Sequence, residues 1–241
     1  WFVPGVLRSR YIGWVMEGIT LQACNGEWWL GTGEGLYRVL PADDFTQIKA
    51  ARPVAVYQTK EGLIPNQQVF RIFEDSRGDV WASTIAVPNG LARWERATET
   101  FWRDLANSPG LPPPADDLAR SFGEDAAGNV WVGFTTGVAR YREGRFTFFT
   151  AKDGLPPGAI QNIHSDRAGR LWLASSRSGL IRVDDPGSER PAFKSYTTAQ
   201  GLSSKSASVI TEDLAGRIYV GTGHGLDRLD PATGRVKHFT T

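Results

Sequence analysis

The sequence is first informative for what it has little of. It contains a single cysteine, Cys24, so an intrachain disulfide and a cysteine-based metal cluster are excluded. No apolar run approaches the roughly 18 residues that cross a bilayer, so no membrane segment is predicted in this piece. Its 27 basic and 26 acidic residues are interspersed and form no basic block. That balance argues against a nucleic-acid-binding surface.

Signals at the beginning of the chain are also missing. The sequence starts at Trp1, without an initiator methionine and without a basic-apolar signal segment. We therefore expect the chain to be a piece of a longer protein.

What the sequence does contain is one short phrase in five copies. Each copy has a glycine, a polar residue, an apolar residue and an aromatic residue, and a Gly-Leu or Gly-Val pair and an arginine follow. The glycines are 52, 50, 41 and 47 residues apart. Repeats of this length, built from short strand-like runs, are typical of propeller blades. The copies are centred on Trp29, Trp81, Trp131, Trp172 and Tyr219.

The second copy shows how one repeat would fold. Residues 68–74 alternate between polar and apolar side chains, as a strand with one buried face does. Asp75 and Gly78 predict a tight reversal, in which the aspartate accepts hydrogen bonds from turn amides. Three further strand-like runs complete the repeat. We therefore predict an all-β chain: a β-propeller of four-stranded antiparallel blades, with residues 1–241 as a single repeat domain or a fragment of one.

Two recurring groups of residues are predicted to be structural. The aromatic residue occupies the same strand position in every copy, where packing between neighbouring blades needs a large ring. Acidic pairs such as Glu74-Asp75 and Glu212-Asp213 recur at the same turn and are expected to cap it. The arginine that follows each Gly-Leu pair is expected to be a partner of those acids. We predict no catalytic residue, no metal site and no cofactor.

A second phrase precedes four of the copies at a near-constant distance. Combined with the Glu-Asp-x-x-Gly-x-x-Trp phrases, it resembles the two-component regulator propeller repeat over about positions 11–241. The resemblance implies seven-bladed rings, so the five visible repeats are expected to be part of a larger ring. The second phrase reads Gly62-Leu63-Ile64-Pro65, Gly110-Leu111-Pro112, Gly154-Leu155-Pro156 and Gly201-Leu202-Ser203.

The resemblance also implies a function. Members of this family form periplasmic or extracytoplasmic sensors of bacterial hybrid histidine kinases, and several look like oligosaccharide receptors. A non-catalytic, ligand-sensing domain is therefore expected, with a small molecule or an oligosaccharide as its partner and a homodimer left open.

Two alternatives remain. A protein-interaction scaffold would use exposed aromatic residues, for which Trp94, Trp102 and Phe148 are candidates. A propeller lyase would use histidines, and the chain has three of them: His164, His224 and His238.

The loops between the two middle strands of each repeat are the candidate binding site. They vary in sequence, and variable loops held by a rigid scaffold commonly carry function. Their short polar side chains would suit a hydroxyl-rich or peptide ligand. The candidate ligand-binding residues in these loops are Glu34, Asn89, Arg177 and His224.

Overall fold

The computed structural model describes most of the chain after residue 17. The described residues are 18–33, 35–42, 47, 51–58, 68–85, 90–102, 105, 108–111 and 117–239. The candidate residues Glu34 and Asn89, and the phrase at 62–65, lie outside them. Within these ranges no helix is long and apolar enough to cross a membrane.

The described residues form five four-stranded antiparallel sheets, and the strands of each sheet follow one another in chain order. The predicted all-β architecture of four-stranded propeller blades is thereby confirmed. Blade 1 consists of β1 (Thr20–Gln22), β2 (Trp28–Gly31), β3 (Leu36–Val39) and β4 (Ala55–Tyr57); blade 2 of β5 (Val69–Glu74), β6 (Val80–Thr84), β7 (Gly90–Glu95) and β8 (Thr100–Trp102); blade 3 of β9 (Ser121–Glu124), β10 (Val130–Gly133), β11 (Val138–Arg142) and β12 (Arg145–Phe149); blade 4 of β13 (Ile160–Ser165), β14 (Leu171–Ser175), β15 (Gly179–Val183) and β16 (Phe193–Tyr196); blade 5 of β17 (Ala207–Glu212), β18 (Ile218–Thr222), β19 (Gly225–Leu229) and β20 (Val236–Phe239).

The chain divides into two compact units. The first unit, residues 1–108 and 112–119, contains blades 1 and 2. The second unit, residues 109–111 and 120–241, contains blades 3, 4 and 5. Within each unit, the apolar face of one blade packs against the apolar face of the next.

A buried aspartate organises the first hairpin of three blades. In blade 3, Asp125 Oδ1 accepts hydrogen bonds from the main-chain nitrogens of Ala127 and Asn129, both at 3.0 Å. The other oxygen, Oδ2, accepts a hydrogen bond from Trp131 Nε1 at 2.8 Å. The expected role in capping the turn is confirmed, and the cap extends into the core. The same bond joins Asp75 to Trp81 at 3.0 Å in blade 2, and Asp166 to Trp172 at 2.6 Å in blade 4.

In blade 4 these contacts keep the carboxylate of Asp166 ionised although it is buried. Burial by itself raises the pKa of Asp166, but hydrogen bonds from Trp172 and Arg170 outweigh that effect. The pKa of Asp166 therefore lies below its usual value.

The tryptophans of the repeat are core residues, as the sequence predicts. Trp131 is fully buried, stacks on Phe149 with ring centroids 5.6 Å apart, and packs against Ile160 and Ile163 of blade 4. Tyr219 is only partly buried. The other fully buried members of the series are Trp29, Trp81 and Trp172.

The arginine after each Gly-Leu pair does not bind the turn aspartate, so that expectation was wrong. Arg93 Nε instead lies 2.9 Å from Asp79 Oδ2, and Arg38 Nη2 lies 2.6 Å from Glu27 Oε1. In these blades the arginine also covers the tryptophan ring of its own blade. The distance from guanidinium carbon to ring centroid is 5.7 or 5.8 Å for Arg38, Arg93, Arg140 and Arg182.

The glutamate of an acidic pair serves the preceding blade. Glu212 Oε2, in blade 5, accepts a hydrogen bond from the main-chain nitrogen of Arg167 at 3.2 Å, in the turn of blade 4. Glu74 Oε2, in blade 2, accepts one from the nitrogen of Cys24 at 2.8 Å, at the corresponding place in blade 1. Each of these two acidic pairs therefore ties its own hairpin to the hairpin of its neighbour.

Removing a capping carboxylate should destabilise the protein. Asp125→Ala would leave the Trp131 indole and two turn amides without their acceptor, and an unsatisfied buried donor costs roughly 1–3 kcal/mol. We expect the free energy of unfolding, measured by urea denaturation, to fall by about 3 kcal/mol or more. The matched control is Asp213→Ala in blade 5, where the carboxylate is 22% exposed and no indole is bound. Equal losses in the two variants would contradict this assignment.

Blade 1 offers the reverse experiment, because Ala23 holds the position of the capping aspartate. Its turn has the same main-chain bonds, from Ala23 N to Glu27 O at 2.7 Å and from Gly26 N to Ala23 O at 2.8 Å. The Trp29 indole nitrogen is buried without a partner among the described residues. Ala23→Asp should therefore raise the free energy of unfolding by about 1 kcal/mol. Ala23→Ser, too short to reach the indole, is the control, and an unchanged urea midpoint for Ala23→Asp would refute the prediction.

His164 makes stability depend on pH. Burial lowers its pKa below the usual value near 6.5, although Glu212, 3.9 Å from His164 Nε2, opposes that shift. The unfolded chain binds this proton more readily than the folded one, so stability falls as pH drops below about 6.5. His164→Leu, which copies Leu21 of blade 1, should therefore lose less unfolding free energy between pH 7 and pH 5 than the wild type. Parallel urea titrations at both pH values test this, and identical losses would rule it out.

Candidate functional site

The loop ends of blades 4 and 5 bring two classes of loop together. We call residues 154–159 and 201–206 the entry loops, because each leads into the first strand of its blade. Residues 176–178 and 223–224 are the tip loops, which join the two middle strands. The main-chain nitrogen of Ser176 donates to the carbonyl of Ala159 at 2.9 Å, and that of Gly223 donates to Ser206 at 3.2 Å. In these blades the two classes therefore share one end of the sheet.

Serine side chains fix the two loops of blade 4 to each other. Ser175 and Ser178 both donate hydroxyl hydrogen bonds to the carbonyl oxygen of Pro157. In return, Ser176 Oγ accepts a hydrogen bond from the main-chain nitrogen of Ala159 at 3.0 Å. Ser175 and Ser178 are buried, so the frame of this site is built into the core of the blade.

Arg177 stands at the tip of this frame. Its main-chain nitrogen donates to Ser175 Oγ at 3.3 Å, while its side chain is exposed and its guanidinium has no hydrogen-bond partner among the described residues. Gly158 lets the entry loop approach it: a Cβ there would lie 3.0 Å from Arg177 N, and its φ of +129° disfavours other residues. Arg177 is therefore an available cation on a fixed backbone.

His224 occupies the tip loop of blade 5. Its Nδ1 lies 2.8 Å from the main-chain oxygen of Ser203, in the entry loop of the same blade. A carbonyl oxygen can only accept, so Nδ1 carries a hydrogen, and in the neutral imidazole Nε2, on the far side of the ring, is left as an acceptor. The main-chain nitrogen of His224 donates to Thr222 Oγ1 at 3.1 Å, which fixes the loop as well.

Next to His224 lies a buried carboxylate that our sequence analysis missed. Asp227, on β19, is fully buried. Its Oδ2 accepts two hydrogen bonds from Ser203, from the nitrogen and from Oγ, both at 2.8 Å. Its Oδ1 lies 2.6 Å from Nδ1 of His238, on β20. Ser203 Oγ is also 2.9 Å from Thr222 Oγ1. We call Ser203, Asp227 and His238 the polar node.

The sequence did contain a signal for this node. Asp227 is the third residue of the Gly-Leu-x-Arg phrase, where the other copies have Tyr37, Ala92, Ala139 and Ile181. A comparison of the five copies, residue by residue, shows one charged side chain at a position that is otherwise uncharged. A charged side chain at such a position needs hydrogen-bond partners, because burying an unpaired carboxylate is costly.

The structure places the other candidate residues as follows. Arg177 and His224 lie in corresponding tip loops of adjacent blades, and in the described part of the chain no hydrogen bond joins their side chains. Trp94 is fully buried and cannot serve as an exposed aromatic residue, Phe148 is partly buried, and Trp102 is 52% exposed. Among the described residues, no group of three or more His, Cys, Asp or Glu side chains is arranged to hold a metal ion.

Solved structures similar to this chain are propellers. The extracellular domain assigned to a hybrid two-component system of B. thetaiotaomicron is 20% identical, with a TM-score of 0.71. An inactive variant of virginiamycin B lyase from Staphylococcus aureus, with quinupristin, is 15% identical, and PorZ, a surface component of the type-IX secretion system of Porphyromonas gingivalis, is 17% identical; both have a TM-score of 0.66. These likenesses show the fold.

The matches cover most of this chain but differ in their share of the other chain. The chain is covered to 90%, 94% and 93%, respectively, whereas it spans 28% of the two-component domain, 72% of the lyase and 33% of PorZ. A search of curated proteins found no match. In sequence, residues 62–86 match the model of the two-component regulator propeller. The chain therefore has the fold of a β-propeller, and its residues 62–86 are similar to the two-component regulator propeller repeat.

Proposed function

We propose that this chain is a non-catalytic, ligand-sensing domain of a bacterial two-component signalling protein, exposed outside the cytoplasm. Its ligand is a hydroxyl-rich small molecule, of which an oligosaccharide is the best fit. The match of residues 62–86 and the fold shared with an extracellular domain of a hybrid two-component system support this proposal. Signal output would then depend on the rest of the parent protein.

One observation carries the assignment of the site. At the loop end of blades 4 and 5, side chains of different chemistry stand on a frame of hydrogen bonds that the repeat itself supplies. Arg177 presents a guanidinium and His224 presents an imidazole acceptor, while Ser176 and Thr222 hold the loops beneath them. Polar groups held in fixed positions can recognise sugar hydroxyls at a low cost in conformational entropy.

A scaffold function is the second candidate, and Trp102 favours it. This tryptophan lies on β8, in the first unit, and exposes 52% of its surface. Exposed tryptophans are enriched at protein interfaces. Capture of a protein partner that Trp102→Ala abolishes would support the scaffold over the sensor.

The lyase alternative has less support. His164 is held at the hairpin end of blade 4 near Glu212, and its Nε2 is buried. His224 and His238 are both bound through Nδ1, to a carbonyl oxygen and to Asp227. Imidazoles that are oriented in this way suit ligand binding as well as catalysis. The proposed binding roles of Arg177 and His224 therefore do not require a catalytic reaction.

The proposal is tested by calorimetric titration of the purified chain with soluble oligosaccharides released from plant and bacterial polysaccharides. The double variant Arg177→Ala/His224→Ala should bind any saccharide that the wild type binds at least about tenfold more weakly, because each lost hydrogen bond to a charged group contributes about 1.5–3 kcal/mol.

The control variant removes two cations that lie away from the proposed binding site. Arg190→Ala/Arg235→Ala removes two exposed arginines from the opposite end of the same blades and should bind like the wild type. Both variants should unfold at the wild-type urea midpoint. Binding that survives in the Arg177/His224 variant would exclude this site, and a wild type that binds no saccharide would refute the proposed ligand.

A further inference from the structure

Charge is distributed unevenly between the two ends of blades 4 and 5. The loop end carries three exposed cations: Lys152, Arg177 and Lys205. Only two carboxylates, Asp153 and Asp227, belong to that end. The other carboxylates of these blades lie at the opposite end, in the connections that lead into β16 and β20 or at the hairpin turns. A ligand that approaches the loop end therefore meets mostly positive groups.

Both carboxylates of the loop end are already occupied. Asp153 Oδ2 accepts hydrogen bonds from Thr150, from the main-chain nitrogen at 2.9 Å and from Oγ1 at 3.2 Å. Asp227 is fully buried and accepts three hydrogen bonds within the polar node. Among the described residues, neither carboxylate forms an ion pair with Arg177 or Lys205, and the side chains of these two cations have no hydrogen-bond partner there.

The main chain connects the cations of the two blades. The carbonyl oxygen of Lys205, in the entry loop of blade 5, accepts a hydrogen bond from the nitrogen of Gly179 at 2.7 Å. Gly179 is two residues from Arg177, so the tip loop of blade 4 is bound to the loop that contains Lys205 and Ser203. Through its carbonyl, Ser203 in turn holds His224. Arg177, Lys205 and His224 therefore stand on one connected set of loops.

We propose that this loop end binds a saccharide that carries a carboxylate or a sulfate. Arg177 and Lys205 bind the anionic group, and His224 Nε2 accepts a hydrogen bond from a sugar hydroxyl. This inference rests on the proposed function and specifies its ligand class. Arginine suits the planar geometry of a carboxylate or the oxygens of a sulfate, because its guanidinium can donate two hydrogen bonds to one group.

The polar node positions these residues, and it is not required for the fold of a blade. Blade 4 has Pro156, Ile181 and Ser195 at the places of Ser203, Asp227 and His238, and its sheet has the same strand order. Replacing both partners of a buried hydrogen bond by packed apolar residues is commonly nearly neutral or stabilising. The fold of the blade does not need the buried carboxylate of Asp227. Its two bonds to Ser203 give it another role, because they fix the loop that holds His224.

The first experiment compares saccharides that differ in charge. Trigalacturonate, its fully methyl-esterified form and a sulfated chondroitin disaccharide are titrated into the wild type at low and high salt. We expect the anionic probes to bind and to weaken as salt rises, and the methyl ester to bind at least about tenfold more weakly than trigalacturonate. The chondroitin disaccharide carries a uronate carboxylate as well as a sulfate. Binding of trigalacturonate therefore shows that a carboxylate is sufficient, whereas binding of the sulfated disaccharide alone shows that the site needs the sulfate.

Variants locate the charge effect. Arg177→Ala/Lys205→Ala should weaken the anionic probe at least about tenfold, while Arg190→Ala/Arg235→Ala should not. Equal binding of trigalacturonate and its ester would overturn this inference and leave the saccharide-sensing function intact. If no probe binds and neutral oligosaccharides also fail, the proposed function itself is wrong.

A second experiment tests the polar node. The triple variant Ser203→Pro/Asp227→Ile/His238→Ser copies blade 4 and should unfold at the wild-type urea midpoint or above it, yet bind the anionic probe at least about tenfold more weakly. Asp227→Asn, which keeps the shape of the side chain, provides a second reading if the triple variant does not fold, and should also weaken binding. Unchanged affinity in a folded variant of either kind would overturn the positioning role.

Discussion

The bond between a buried aspartate and a tryptophan indole is the constraint on which blades 2, 3 and 4 depend. One carboxylate closes the hairpin through turn amides and binds the ring that fills the space between blades, as Asp125 does with Trp131. The turn and the core therefore cannot form independently of each other. In these three blades the aspartate is the acceptor of a buried indole nitrogen, which in blade 1 has no partner among the described residues.

The remaining acids and arginines make further contacts around that bond. The arginine of the third strand binds another acid and lies over the tryptophan face, as Arg93 does over Trp81. The glutamate beside the aspartate is free to reach the neighbouring turn, as Glu212 does with Arg167. Repetition of one phrase thus encodes both the blade and its attachment to the next blade.

The sequence predicted the strands, the turns and the tryptophan core, because each depends on neighbours within one repeat. Period-2 alternation, an aspartate three residues before a glycine and an aromatic residue three residues after it are local signals. The partner of Arg38 was not predictable in this way, since Glu27 had the appearance of an ordinary polar position in the phrase. It becomes the partner only once the register of β2 and β3 is known.

The candidate site was predicted less well, for a related reason. Loop variability pointed to Arg177 and His224, but variability says nothing about what holds a loop in place. The bond from Ser203 to Asp227 joins residues 24 positions apart, and His238 comes from a third element. The features that all repeats share do not reveal the polar node. The positions at which one repeat differs from the others do reveal it.

Blade 5 departs from the other blades in a way that stability does not explain. In blade 5 the buried carboxylate of Asp227 occupies a position where an apolar side chain would need no hydrogen-bond partner. In a repeat protein, neighbouring blades supply a direct comparison: blade 4 has Ile181 at the same position, fully buried in an apolar cluster. The same scaffold therefore tolerates an apolar residue there. Local conflict with an otherwise consistent pattern is expected at functional sites, because only function compensates for it. Under the proposed function, the node serves the loops that Ser203 holds.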